Sequence, residues 1–136
     1  MISAEMSSYG GHLFTFEIGY WDYLKAVQNL SMTHAYHTIA YHADFLSVDL
    51  ERLGIEKIDM VLIDGRKNQY KDYLLRVANI VTSDSVIIID DAIKFAHKTT
   101  SLYEYLAEKQ IQYELLESEP GDGIIVIRNA GTQLLS

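Results

Sequence analysis

Ser85-Val-Ile-Ile-Ile-Asp-Asp91 is a short apolar run closed by two carboxylates, and it is the clearest structural signal in the chain. A second run of the same kind, Ile58-Asp-Met-Val-Leu-Ile63, ends at Asp64. Between the two, residues 68–80 carry apolar side chains at helical spacing. Runs that are apolar on both faces are typical of strands in a parallel sheet covered on both sides, and parallel neighbours need a crossover helix between them.

The same alternation extends along the chain in both directions. We predict further strands over His12–Ile18, Tyr36–Tyr41, Gln112–Glu117 and Ile124–Arg128, and further helices over Trp21–Met32, Phe45–Leu53 and Thr99–Gln110. Residues 119–123 read Glu-Pro-Gly-Asp-Gly, which is typical of a hairpin turn between the last two strands. The pattern predicts a three-layer α/β fold with a mostly parallel sheet and an antiparallel C-terminal hairpin at one edge.

Length and composition narrow the function classes. The 136 residues predict one domain over 1–136, and the lack of cysteine excludes disulfides, thiolate nucleophiles and thiolate metal sites. The formal net charge is −8 and no basic patch stands out in the sequence, so we expect no nucleic-acid partner. The apolar runs are too short to span a membrane and no export signal is visible, so we expect no membrane partner and a cytoplasmic location.

Carboxylates follow all of the predicted parallel strands. They are Glu17, Asp44, Asp64 and the pair Asp90-Asp91. Ligands of open parallel sheets bind just beyond the carboxyl ends of the strands, so these positions are candidate site residues. A single aspartate at such a position is as readily explained by capping of the following helix, and it is the whole set that favours a site.

Two kinds of ligand suit these carboxylates. A hard divalent cation takes oxygen ligands, which Asp64, Asp90 and Asp91 can supply from neighbouring strands. A ribose is bound by a carboxylate that accepts from its hydroxyls, as Glu17 could do at the end of an early strand. Lys67, three residues after Asp64, is either a group that removes or holds a substrate proton or a solvated helix residue.

Two stretches resemble the metal-dependent O-methyltransferases that use S-adenosylmethionine (SAM), a family that includes the catechol and caffeoyl-CoA enzymes. They are Lys57–Tyr70 and Ser85–Asp91. The shared pattern is an apolar strand ending in Asp, a Lys three residues on, a Tyr three residues after it, and a second strand ending in Asp-Asn. In addition, His12–Glu17 is similar to the family's second strand and Glu119–Arg128 to its closing hairpin. The resemblance implies a Rossmann-like methyltransferase fold.

The resemblance also implies a reaction. The cofactor would be SAM, the metal magnesium, and the acceptor a small hydroxylated molecule whose oxygen receives the methyl group. Lys67 would be the catalytic base. The cofactor contacts would come from Glu17, Ala43, Asp44 and Asp64, and the metal ligands would be Asp64, Asp90 and Asp91.

The chain departs from the family pattern at three places. Its second strand ends in Asp90-Asp91 rather than Asp-Asn, and Gly65 and Arg66 replace residues that often contact the ligands. The family's first strand and glycine loop, which approach the cofactor, have no counterpart before Glu17, so we expect an N-terminally truncated domain. We therefore expect the strands that end at Glu17 and Asp64 to close up on each other, or a second copy to fill the gap in a homo-oligomer, as a dimer.

A different class of function stays open. The chain could be a non-catalytic module that keeps the methyltransferase fold for oligomerisation or partner binding. A receiver-like phosphoacceptor domain also uses aspartates at strand ends, but it expects an acidic pair after its first strand and a lysine near its last, and neither is present.

Overall fold

The computed structural model describes residues 11–33 and 37–135. The chain divides into two compact units, Met1–Val48 and Asp49–Ser136. Each unit has a sheet of its own, and each is described by itself below. The prediction of one domain over 1–136 stays a prediction.

The first unit is a strand–helix–strand crossover. It consists of β1 (Leu13–Glu17), α1 (Tyr20–Met32) and β2 (Thr38–His42). The two strands are parallel and in register from Leu13 opposite Thr38 to Glu17 opposite His42. The predicted strands and helix are therefore confirmed with small differences at their ends. Strand β1 is shorter than predicted, α1 begins one residue earlier and β2 ends one residue later, while Tyr36 lies outside the described residues.

The helix predicted over Phe45–Leu53 is wrong. The segment forms separate turns instead, because two aspartates each close a turn with the side chain. Asp44 Oδ1 accepts the Leu46 N–H at 3.0 Å, and Asp49 Oδ1 accepts the Arg52 N–H at 3.1 Å. Short polar side chains of this kind compete with helical hydrogen bonds, so the apolar residues between them do not form a continuous helix.

The second unit contains the longer sheet. Its elements are β3 (Ile58–Ile63), α2 (Tyr70–Val77), β4 (Val81–Ile89), α3 (Thr100–Glu108), β5 (Glu114–Glu119), β6 (Asp122–Ile127) and α4 (Ala130–Leu134). The strand order is β3-β4-β6-β5. The β3–β4 pair is parallel, and β6 is antiparallel to both β4 and β5. The α/β class and the C-terminal antiparallel hairpin are thus confirmed.

The core of the second unit lies between one face of this sheet and the helices α2 and α3. Alternate residues along the strands point to this face, which is why they are almost completely buried. They are Ile63, Ile87, Ile89, Ile125 and Ile127. The two helices contact each other and contribute Tyr70, Leu74, Val77, Leu102 and Leu106. This packing fixes the ends of β3 and β4, from which the candidate site is built.

Two features of the second unit differ from the sequence prediction. Strand β4 begins at Val81 rather than Ser85, and its register against β3 shifts between Ile58 and Met60. At this irregularity the Ser85 hydroxyl donates to the Ile58 carbonyl at 2.6 Å and accepts the Thr82 N–H at 2.7 Å. Helix α2 is preceded by a short 3₁₀ turn over Lys67–Gln69 instead of beginning at residue 68.

The expectation that the strands ending at Glu17 and Asp64 close up on each other stays a prediction, because the two strands belong to different units. Within 11–33 and 37–135, β1 pairs with β2 and β3 pairs with β4, and the two sheets are separate. Strands β1 and β3 each pair with a neighbour from their own unit. The alternative, that a second copy supplies the missing pairing, stays a prediction. None of the helices in the described ranges is long and apolar enough to cross a membrane.

Candidate functional site

The parallel pairing of β3 with β4 brings the ends of these strands together. The Asp90 N–H donates to the Ile63 carbonyl at 3.0 Å, so Asp64 and Asp90 follow directly from paired residues. Lys67 lies at the start of the 3₁₀ turn that follows β3. Three of the predicted residues, Asp64, Lys67 and Asp91, meet here through their side chains.

The Lys67 ammonium is the centre of this cluster. Its Nζ lies 2.5 Å from Asp91 Oδ2, 2.8 Å from the Tyr70 hydroxyl and 3.4 Å from Asp64 Oδ1. The Lys67 side chain is 17% exposed, whereas that of Asp64 is 55% exposed. The bond to Asp91 is therefore the strong one, and the contact with Asp64 is largely screened by solvent.

The surroundings of Lys67 favour its charged form. Burial alone acts to lower the pKa of Lys67, but the hydrogen bonds to Asp91 and Tyr70 and the negative charge of Asp91 outweigh it and raise that pKa above its ordinary value. Burial has the opposite effect on the Tyr70 hydroxyl: it raises the pKa of Tyr70, so Tyr70 is neutral. Lys67 thus carries a proton at neutral pH in this arrangement, and a role as base requires that proton to leave first.

The backbone at the end of β4 directs Asp91 toward Lys67. Asp91 has φ of +54°, in the left-handed region that aspartate and asparagine tolerate better than other side chains with a Cβ. Its N–H donates to Asp90 Oδ1 at 2.8 Å, which closes the turn. The Asp90 carboxylate is therefore engaged with the backbone, while that of Asp91 is engaged with the lysine.

Asp122 is a buried carboxylate that holds the backbone beside the candidate site, a role that the sequence pattern does not indicate. It is 3% exposed, and its Oδ1 accepts the N–H groups of Gly123 at 2.8 Å, Lys94 at 3.0 Å and Ile93 at 3.2 Å. These donors, the Lys94 N–H foremost, lower the pKa of Asp122 against the opposing effect of burial. Asp122 thereby ties the turn that follows Asp91 to the hairpin. The sequence favours a solvated position for Asp122 in the hairpin, whereas the fold buries it.

The three aspartates do not fit a magnesium ion as they stand. No three Asp, Glu or His side chains in the described ranges are grouped so that they could hold a metal ion. The Lys67 ammonium lies between Asp64 and Asp91, and Asp90 accepts a backbone N–H. A cation would have to displace the ammonium first, so we derive no step that passes through a metal.

The predicted cofactor residues of the first unit meet at the ends of β1 and β2. The Ala43 N–H donates to the Glu17 carbonyl at 3.1 Å, so these two residues are adjacent. Asp44 follows and closes the next turn through its carboxylate. Glu17, Ala43 and Asp44 are therefore gathered at one edge of their sheet, whereas Asp64, the fourth predicted cofactor residue, belongs to the second unit.

Comparisons with known proteins agree on the fold. The chain matches an O-methyltransferase from Bacillus cereus in complex with SAH (TM-score 0.73, 16% identity) and the O-methyltransferase TomG from Streptomyces achromogenes, involved in tomaymycin synthesis, in complex with SAM (TM-score 0.71, 19% identity). It also matches the pre-rRNA processing protein fibrillarin from Methanococcus jannaschii (TM-score 0.62, 12% identity). The Rossmann-like methyltransferase fold is therefore confirmed. No family model matches the chain, and no curated protein does.

These matches cover most of this chain but only part of each solved structure. The matches cover 88%, 87% and 87% of this chain, in the same order, but 63%, 61% and 56% of the three solved structures. The chain thus spans about three fifths of the length of the two O-methyltransferases. At these identities the likeness concerns the fold, and the range from O-methyltransferases to fibrillarin shows that this fold does not by itself fix the acceptor.

Proposed function

We propose that the chain is a SAM-dependent methyltransferase that transfers a methyl group to an oxygen of a small hydroxylated acceptor. The observation that carries the proposal is the Asp64–Lys67–Asp91 cluster at the carboxyl ends of two paired parallel strands, in a chain with the methyltransferase fold. Ligands of such sheets bind at these strand ends. The SAM and SAH complexes among the similar structures support the choice of cofactor.

The residues divide into two roles. In the first unit, the Glu17 carboxylate would accept hydrogen bonds from the ribose hydroxyls, and Ala43 and Asp44 would contact the adenine. In the second unit, Asp64 and Asp91 would border the acceptor, and Lys67 would govern its proton. The methyl carbon leaves the sulfonium sulfur and bonds to the acceptor oxygen, while the hydroxyl proton of the acceptor is released.

Lys67 can act on that oxygen in two protonation states. As an ammonium it donates a charge-assisted hydrogen bond to the oxygen and stabilises its anionic form. As an amine it accepts the hydroxyl proton directly, which its raised pKa disfavours at neutral pH. Methyl transfer that depends on the free amine should therefore increase steadily as the pH is raised.

The proposal is tested by calorimetric titration of SAM into the full chain, with magnesium and with EDTA. We expect saturable heat that SAH competes away and that Glu17→Gln weakens, with Glu51→Gln as a control at an exposed position. Absence of heat at millimolar SAM contradicts the proposal. Equal titrations with magnesium and with EDTA would agree with the engaged aspartates, whereas tighter SAM binding with magnesium would restore the predicted metal site.

A second candidate is an oligomerisation module, and one observation favours it. Met60 and Leu62 on β3 are 45% and 55% exposed, and in the described part of the chain this strand has a hydrogen-bonded neighbour on one side only. Such an edge with apolar side chains pairs readily with another strand. We propose a homodimer through β3. Light scattering coupled to size exclusion should give twice the chain mass, and Leu62→Lys should reduce it to one chain mass.

A further inference from the structure

Three lysine side chains surround one aromatic ring beside the candidate site. The Nζ atoms of Lys67, Lys94 and Lys98 lie 5.4, 5.6 and 5.4 Å from the centroid of the Phe95 ring. All three are within the range of cation–π attraction. The expectation that the chain has no local basic patch is therefore revised, because the fold brings Lys67 to the same ring as Lys94 and Lys98, which are close in the sequence.

Lys94 and Lys98 differ from Lys67 in whether a carboxylate neutralises the charge of the ammonium group. Lys67 is paired with Asp91 at 2.5 Å. Lys94 and Lys98 are exposed, and within the described ranges neither takes part in an ion pair. Their positive charges are therefore available to a ligand, in a chain whose formal net charge is −8.

The backbone that carries these two lysines is fixed at several points. Asp122 Oδ1 accepts the Ile93 and Lys94 N–H groups, and the Tyr103 hydroxyl donates to the Ala92 carbonyl at 2.6 Å. A 3₁₀ turn over Ala96–Lys98 follows, with the Lys98 N–H bonded to the Phe95 carbonyl at 2.8 Å. A ligand therefore meets lysines on an ordered turn and need not order that turn itself, which lowers the cost of binding.

The placement of the turn connects it to the chemistry. It begins directly after Asp91, and the same Phe95 ring is contacted by Lys67, the proposed reacting lysine. An anion held by Lys94 and Lys98 would therefore lie beside the acceptor oxygen held by Lys67. Two uncompensated ammonium groups attract a carboxylate or a phosphate, and a positive patch in an acidic chain concentrates anions locally.

We propose that Lys94 and Lys98 form an anion-binding subsite for the acceptor. The acceptor would then carry a carboxylate or phosphate group in addition to the hydroxyl that is methylated. This inference rests on the proposed methyltransferase function for its meaning, but its binding step can be measured without any turnover.

The experiment compares anionic and neutral probes on the full chain by NMR titration of the backbone amides. The probes are benzoate and phenyl phosphate, with benzamide and phenol as neutral counterparts. We expect the anionic probes to bind at least about tenfold more tightly, with the largest shifts at residues 94–98 and a marked loss of affinity at high salt. The tighter of the two anionic probes identifies the group that the subsite takes.

Three variants make the result specific. Lys94→Gln/Lys98→Gln should abolish the preference for the anionic probes, Lys94→Arg/Lys98→Arg should retain it, and Lys109→Gln, at an exposed lysine on another part of the surface, should leave it unchanged. Equal affinity for anionic and neutral probes, or an unchanged preference in the double glutamine variant, overturns the subsite. Anion binding without SAM binding would refute the methyltransferase function alone, whereas methyl transfer without anion preference would refute the subsite alone.

Discussion

Lys67 and Asp91 form an ion pair, 2.5 Å between Nζ and Oδ2, that joins the residues following two paired strands. The Lys67 side chain is 17% exposed and that of Asp91 is 29% exposed. A charge-assisted bond in such a partly shielded position is stronger than a surface ion pair. This ion pair stabilises the charged form of Lys67, and the first prediction concerns it.

Asp91→Asn should remove the negative charge at this position and leave the backbone conformation unchanged. Asparagine tolerates the φ of +54°, so the turn is retained, but the carboxylate that raises the pKa of Lys67 is lost. We expect the pKa of Lys67 to fall and the unfolding free energy to decrease by about 1–3 kcal/mol. NMR titration of the lysine side chains and urea unfolding measure the two effects. Asp72→Asn, at an exposed position, is the control, and an unchanged lysine titration contradicts the assigned pair.

Asp122→Asn should make stability less dependent on pH. The pKa of Asp122 is lowered in the folded chain, so its carboxylate stabilises the fold above the pKa of the unfolded state, and this stabilisation is lost as the pH falls through the lower, folded value. We expect the wild type to be more stable than the variant at pH 7 and the difference to diminish toward pH 3. Urea unfolding at both pH values measures it. A difference that grows on acidification would mean that the sign is wrong.

Leu74 and Leu75 are neighbours with opposite environments. Leu74 is 0% exposed in the core between α2 and the sheet, whereas Leu75 is 41% exposed. Removal of a buried leucine side chain leaves a cavity, so Leu74→Ala should cost about 2–5 kcal/mol of unfolding free energy. Leu75→Ala should cost less than about 1 kcal/mol. Chemical unfolding of the two variants side by side is the measurement, and similar costs would argue against the assigned core face.

Gly131 should reject any side chain because of close packing. A Cβ at this position would lie 2.3 Å from the Thr82 carbonyl oxygen, which belongs to the backbone of β4 and cannot rotate away. We expect Gly131→Ala to cost about 1–3 kcal/mol or more. Gly121→Ala is the matched comparison, since its Cβ meets nothing within 4 Å and only its φ of +84° is unfavourable. Thermal unfolding of both variants should place Gly131→Ala lower.

The strand ends were predictable from the sequence because apolar runs identify buried parallel strands. Asp64 and Asp91 follow such runs, and the pairing of β3 with β4 brings them together as expected. The start of β4 was not predictable, since Thr82–Ser85 are polar and their place in the sheet depends on the Ser85 hydroxyl. Local pattern therefore located the site better than it located the limits of the elements around it.

Two other features could not be predicted from the sequence, for a different physical reason. Helix α4 contains only five residues, among them Gly131, and it is stabilised by packing on β4 rather than by helix propensity. Asp122 was overlooked because the three N–H groups that it accepts come from residues 93, 94 and 123, two of which are distant in sequence. Contacts between distant segments leave no periodic trace, so only the structure reveals them.

The hydroxyl of Ser85 also has a consequence for how the sheet opens. The amide hydrogen of Thr82 is bound to this side-chain oxygen at 2.7 Å. Its exchange with deuterated solvent therefore reports on the irregularity itself, and Ser85→Ala should accelerate exchange at Thr82 while the amides at the centre of β4 remain slow. A single amide thus becomes a probe of the strand-entry end of the sheet, opposite the edge where the carboxylates lie.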